Sequence, residues 1–187
     1  MNGTDAAVSA LFELARKKDR VIAAIDGRCA AGKTTLAERI SKELDCNIFH
    51  MDDFFLRPEQ RTPRRLELPG GNIDSERFLC EVLLPLSNKK AVIYRPYNCQ
   101  TGKLGDAVTV PQKRINIVEG SYSCHPDLRA YYDFCIFLDV DSDEQLRRIT
   151  VRDPDKAERF RSKWIPLEEK YFSAFDIQGS ADMTVKT

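Results

Sequence analysis

The sequence predicts an α/β fold of three layers, a mainly parallel sheet with helices on both faces, and three observations carry that reading. Short apolar runs alternate with longer segments of helical periodicity, the order that produces parallel strands joined by helices. Runs such as Phe134-Cys135-Ile136-Phe137-Leu138 are apolar at every position, which suits strands covered on both sides. The length, 187 residues, suits one domain, spanning 1–187, with a sizeable core.

Each element follows in order. Residues 5–18 place Ala7, Val8, Leu11, Phe12 and Leu14 near helical spacing, which predicts an amphipathic lead-in helix. Val21-Ile22-Ala23-Ala24-Ile25 reads as a buried strand, and Leu36, Ile40 and Leu44 then recur at i, i+4, i+8 as the inner face of a helix. Asn47 to Met51 predicts a second strand, ending in Asp52-Asp53. Residues 56–71, rich in Pro and Arg, predict a long loop, a feature often functional inside a compact domain. Asp74-Ser75-Glu76 opens a helix through Leu86. An antiparallel flap is expected over about 91–112, with Gly102 and Gly105 at its turn. Ile115 to Gly120 and Phe134 to Asp139 are further strands. Ser142 to Phe175 is a charged helical region interrupted at Pro154 and Pro166, and a last strand falls at Asp182 to Val185. Gly27, Asp52, Glu119 and Asp139 all follow or end predicted strands. The first three are expected at one crevice, beyond the strands' carboxyl ends.

Lys plus Arg and Asp plus Glu each total 29, a formal net charge of zero. That balance argues against a broad nucleic-acid surface. No apolar run reaches membrane-spanning length, and the N-terminus lacks the charged and apolar regions of a signal peptide. The expectations are therefore no nucleic acid, no membrane and a cytoplasmic location. The six cysteines include no C-x-x-C pair and read as reduced, mostly buried thiols.

Gly27-Arg28-Cys29-Ala30-Ala31-Gly32-Lys33-Thr34-Thr35 fits G-x-x-x-x-G-K-[ST], the phosphate-binding P-loop, between a predicted strand and a predicted helix. The glycines let the backbone turn tightly and approach a ligand closely. Successive N–H groups and the helix N-terminus then form an anion site. Lys33 is placed to bridge the β- and γ-phosphates of ATP, and Thr34 to ligate Mg²⁺. Thr35 is assigned to the α-phosphate or to the helix start. Asp26, before the first glycine, reads as a strand-end turn residue, and Cys29 as a tolerated small side chain.

A phosphate cradle does not by itself distinguish a kinase from an ATPase. Asp52-Asp53-Phe54-Phe55 adds a carboxylate at a strand end, where it could take the proton of a hydroxyl attacking the γ-phosphorus. Asp52 is the first choice and Asp53 the second. Glu119, ending an apolar strand, is read as a second Mg²⁺ contact. His50 and His125 are read as ordinary residues.

Together, Gly27–Thr35, Asp52-Asp53-Phe54-Phe55, Asp74, Tyr97 and Glu119-Gly120 resemble the uridine kinase family, with its phosphoribulokinase, pantothenate kinase and nicotinamide riboside kinase relatives. The resemblance runs from about Val21 to Trp164. It implies a nucleoside-kinase-like P-loop fold with a small flap and a helical lid over about 147–165, acting on ATP, Mg²⁺ and a small hydroxyl-bearing metabolite. It implies that Asp52 is the base for a ribose 5′-hydroxyl, that Asp74 holds the ribose diol, and that the flap's Tyr97 contacts the substrate base. Asp74 is equally suited to cap its helix. In Arg147-Arg148-Ile149-Thr150-Val151-Arg152-Asp153 the resemblance implies lid arginines at Arg148, on ATP phosphate, and Arg152, on the transferring group. Arg147 reads as a solvated helix residue, and Arg61, Arg64 and Arg65 as part of a hydrated loop. One departure stands out. Uridine kinases follow the tyrosine with an aspartate and a Thr/Ser-His pair, whereas Asn98, Cys99, Gln100, Thr101 and Gly102 follow here. A kinase for another metabolite (nicotinamide riboside, pantothenate or a sugar) is the alternative, and a regulatory ATPase without acceptor the second alternative.

Overall fold

The computed structural model describes residues 3–187. Helix α1 (Gly3–Lys17) buries Ala7, Val8, Leu11 and Ala15. Strand β1 (Val21–Gly27) leads through the glycine-rich loop into α2 (Lys33–Glu43), and β2 (Cys46–His50) ends in a 3₁₀ turn, Met51–Phe54. Two short pieces, a 3₁₀ turn at Pro58–Gln60 and helix α3 (Pro63–Glu67), follow. Next come α4 (Ser75–Phe78) and α5 (Leu84–Ser87), the flap strands β3 (Val92–Tyr94), β4 (Tyr97–Asn98), β5 (Lys103–Leu104) and β6 (Val108–Val110), and then β7 (Ile115–Glu119). The chain closes with α6 (Pro126–Arg129), β8 (Phe134–Asp139), α7 (Ser142–Arg152), α8 (Ala157–Arg159), α9 (Ile165–Phe175) and β9 (Met183–Lys186).

Five strands form one sheet in the order β2-β7-β1-β8-β9, parallel throughout. Strand side chains alternate between faces, so β1 sends Val21, Ala23 and Ile25 to a core shared with α1 and α2. Ile22 and Ala24 point to the second core, built with Phe49, Phe78, Tyr171 and Phe172. Both faces are thus covered, which is why all of β1 is buried. Register then fixes the site: Glu119 lies opposite both Ile25 of β1 and His50 of β2 at the sheet's carboxyl edge. The flap is two antiparallel pairs, β3 with β6 and β4 with β5, as its glycine spacing predicts.

Two expectations need correction, over 56–71 and at Pro166, and one predicted helix proves irregular. The stretch over 56–71 is not a bare loop. Thr62 caps α3, its hydroxyl accepting from Arg65 N at 3.2 Å with Pro63 at the first helical position. The helix after Asp74 does reach Ser87 but widens to π-helix at Leu79–Leu83, just before Pro85. Pro166 likewise does not break its helix; a π-turn at Phe160–Trp164 precedes it. A proline has no N–H for the carbonyl four residues back, and widening the preceding turn absorbs the mismatch without ending the helix.

Gly27 is fixed by both conformation and space. Its φ is +133°, and a Cβ there would stand 2.1 Å from the Leu138 carbonyl oxygen of the adjacent strand. Gly27→Ala is expected to destabilise the fold by roughly 2–5 kcal/mol through strain and forced strand separation, seen as a lower urea midpoint.

Candidate active site

The loop after β1 is an anion cradle by conformation. Gly27, Ala30 and Gly32 have φ of +133°, +61° and +90°. Alternating hand in this way turns successive N–H groups inward. A Cβ on Gly32 would meet nothing within 4 Å, so this glycine serves its left-handed backbone and leaves open space above α2. The first turn of α2 carries no acidic residue to compete with a bound anion. Lys33 Nζ donates to the carbonyls of Gly27 (2.7 Å) and Arg28 (2.9 Å), which holds its ammonium at the loop with a third N–H to spare.

Glu119, buried at the end of β7, links three segments. One oxygen accepts from the Thr34 hydroxyl at 3.2 Å, and the other lies 2.5 Å from His50 Nδ1. That contact raises the His50 pKa, burial opposing it, so the imidazolium–carboxylate pair is favoured. His50 therefore belongs to the site, contrary to its reading as an ordinary residue. The signal was its place two residues before Asp52 on the same strand end.

Asp52 and Asp53 occupy the 3₁₀ turn beyond β2. Asp53 accepts from the Tyr94 hydroxyl at 3.2 Å, and Arg77 holds its main-chain carbonyl at 2.7 Å. The Asp52 carboxylate, reached by solvent at the mouth of the crevice, has no hydrogen-bond or ion-pair partner among the described residues. Crowding by protein raises its pKa, Glu119 adds to the effect, and Lys33 and His50 oppose it. The carboxylate thus keeps its lone pairs free while lying within electrostatic reach of Lys33.

The other sequence candidates divide. Arg148 reaches the loop, donating to the Ala30 carbonyl at 3.3 Å while pairing with Glu144 at 2.7 Å. Arg152 does not reach the loop and is held locally at the end of α7 by Asp153 (2.6 Å) and the Phe160 ring (5.5 Å). Arg147 pairs with Glu144 and is exposed, as a solvated helix residue should be. Arg28, at the loop, pairs with Asp139 at 2.8 Å and with Glu169. Asp74 caps α4: Oδ1 accepts from Arg77 N at 3.1 Å and Oδ2 from Gln60 Nε2 at 2.8 Å. Tyr97 is buried, its hydroxyl bonded to Arg61 Nη2 at 2.9 Å. Arg65 is not part of a hydrated loop. Its guanidinium grips Glu76 at 2.6 Å and donates to the carbonyls of Ile73 (3.0 Å) and Gly71 (3.3 Å). Glu76 in consequence titrates down near 2, chiefly through that hydrogen bond.

Two supports of the loop escaped sequence reasoning. Asp26 is not a turn residue but a fully buried acceptor beneath the loop. Its oxygens take the N–H groups of Gly27 (2.7 Å), Tyr122 (3.1 Å) and Cys124 (2.8 Å) and the Tyr171 hydroxyl (2.9 Å). Glu168 of α9 is also buried, accepting from Cys29 N at 3.0 Å and from the Ser121 hydroxyl at 2.6 Å. Burial and Glu168 push the Cys29 thiol up to about 12, which makes it an inert small side chain. His125 stacks on Tyr171 and caps α6, a packing role. All six cysteines are free, Cys80 and Cys99 exposed and the others buried.

No protein-family model matches the chain, and no curated protein matches it. Solved structures do. A possible uridine kinase from Bacillus stearothermophilus superposes with a TM-score of 0.72 at 19% identity, covering 97% of this chain and 96% of that one. A candidate fructose transport system kinase from Silicibacter sp. TM1040 gives 0.74 at 23% identity, covering 98% of each chain. A candidate P-loop-containing kinase from Saccharomyces cerevisiae, circularly permuted, gives 0.65 at 13% identity, over 98% of this chain and 97% of that one. The chain has the α/β fold of the uridine kinase-like P-loop kinases. Among the described residues no helix is long and apolar enough to cross a membrane.

Proposed function

We propose that this chain is an ATP-dependent small-molecule kinase that transfers the γ-phosphate to a primary hydroxyl. The observation that carries the reading is the unpartnered Asp52 carboxylate, within electrostatic reach of Lys33 and Glu119 at the phosphate end of the loop. A protein that only binds nucleotide as a switch has no need of a free base on that side. Asp52 takes the hydroxyl proton as the acceptor oxygen bonds to the γ-phosphorus, and the bond from phosphorus to the bridging oxygen of ADP breaks. Lys33 and the loop N–H groups neutralise phosphate charge, and Arg148 and Arg152 join when the lid closes and excludes water.

The residues present fit Mg²⁺. Thr34 Oγ1 and Glu119 Oε2 lie 3.2 Å apart beside the cradle, and no cage of three or more His, Cys, Asp or Glu side chains forms among the described residues. That suits an ion held largely by phosphate oxygens and water, which would supply charge neutralisation at the β- and γ-phosphates.

For the acceptor, the first reading is the 5′-hydroxyl of a nucleoside, with Asp74 on the diol and Tyr97 under the base. The second, another hydroxyl metabolite, gains support from two features: both Asp74 oxygens are already engaged, and the flap lacks a base-reading histidine. ATP consumption with a panel of nucleosides, sugars and hydroxy acids tests the proposal. Stimulation by one acceptor class is expected. Turnover that no acceptor stimulates, and that Asp52→Asn leaves unchanged, would sink it in favour of a nucleotide-binding regulatory ATPase.

A further inference from the structure

We infer that the acceptor is anionic, and that Arg61 binds its carboxylate or phosphate group while Asp52 faces its hydroxyl. The inference rests on the kinase reading and narrows the acceptor's chemical class.

A guanidinium carries five N–H donors in a fixed plane. Arg61 uses Nε on the Leu56 carbonyl (3.0 Å) and one Nη2 hydrogen on the Tyr97 hydroxyl (2.9 Å), with its carbon 5.8 Å from the Tyr97 ring centroid. Three N–H groups are left over, and among the described residues no carboxylate pairs with this cation. Arg57 and Arg65 differ, pairing with Glu59 at 3.3 Å and with Glu76 at 2.6 Å, and Arg64, likewise without a carboxylate among the described residues, is exposed and holds no contact that would orient it. Arg61 is therefore an oriented fork with spare donors and an unneutralised charge, a geometry suited to two parallel bonds to a carboxylate or phosphate.

Its position is the acceptor side of the crevice. Tyr97 lies on β4, which packs against the Met51–Phe54 turn that carries Asp52. The Cys99 thiol, two residues along the flap, is within reach of both: burial raises its pKa, Asp52 and Asp53 add to the rise and Arg61 opposes it. A staple that merely joined the loop to the flap would need hydrogen bonds but no charge. The hairpin's own cation does not share the role: Lys103 stands opposite Asn98 in register, on the face opposite the Tyr97–Leu104 pair.

Matched acceptors provide the test. Initial rates are measured with fructose 6-phosphate against fructose, with pantothenate against its neutral alcohol pantothenol, and with uridine. The first pair reads a phosphate requirement and the second a carboxylate. At least one anionic acceptor is expected to exceed its neutral twin by about tenfold or more in kcat/KM. Arg61→Gln should erase that preference by roughly 10- to 100-fold, carried in KM, and Arg61→Lys should restore part of it. A merely structural role would lower both twins alike and leave their ratio intact. A panel in which no anionic acceptor beats its twin overturns the inference, as does a preference that survives Arg61→Gln. If uridine stimulates turnover under those results, the kinase reading stands without this inference. If nothing stimulates it and Asp52→Asn changes nothing, both fall.

Discussion

Asp52→Asn is expected to lower acceptor-dependent phosphoryl transfer by about 10²–10⁴-fold, the usual range for removing a general base, with kcat affected more than the affinity for ATP. The amide keeps the volume and much of the polarity of the carboxylate but cannot take a proton. Asp53→Asn provides the contrast. An amide oxygen there can still accept from the Tyr94 hydroxyl, now 3.2 Å from Asp53 Oδ2, so the loss should stay within about tenfold. A large loss in the Asp53 variant with none in the Asp52 variant would reassign the base. The pH profile adds a second reading. Crowding and the charge of Glu119 hold the Asp52 pKa above its ordinary 3.8, and the ionised form is the active one. The rate should therefore rise with pH through that raised pKa, and the acid limb should vanish in Asp52→Asn.

The parts of this site that were legible from sequence are those in which local backbone chemistry dictates the residue. Gly27 and Gly32 sit at positive φ, and Thr34 and Lys33 follow at the helix start, so one contiguous motif shows the whole cradle. Glu119 was legible because a carboxylate ending an apolar strand needs an explanation. What stayed hidden are pairings that exist only after the sheet forms. His50 meets Glu119 because β2 and β7 are adjacent and in register, although 69 positions separate them. Glu168 is one acid among several in a charged helical stretch, and only docking of α9 carries it under Cys29. Gln60 and Arg61 lay in a stretch read as loop, yet they reach Asp74 and Tyr97, the two residues assigned to substrate by resemblance. The motif thus identifies the donor side early, while the acceptor side is assembled from side chains brought together by the fold.

Asp26 gives the largest expected effect on stability, and its sign depends on pH. Burial raises its pKa from 3.8 to about 6, outweighing the donors that favour its charge. The folded state thus holds a proton more tightly than the unfolded chain. The corresponding stability is fully present below about pH 4 and is lost as pH rises through 6, a swing of roughly 3 kcal/mol. Asp26→Ala removes the acceptor for three buried N–H groups and the Tyr171 hydroxyl at once. At about 1–3 kcal/mol for each stranded group, the loss at pH 5 reaches several kcal/mol, a large share of a typical domain's stability. Asp26→Asn falls between. Its carbonyl still serves Gly27 and Tyr122, and Tyr171 can turn to accept, but the Cys124 N–H is left facing a donor. The amide carries no charge, so its deficit against wild type should shrink by about 1.4 kcal/mol between pH 5 and pH 7.5, the part of the swing that remains above pH 5. Urea unfolding of the three proteins at both pH values reads this directly. A deficit that grows with pH would mean that Asp26 is stabilised as the anion, and that its four donors outweigh the burial of its charge.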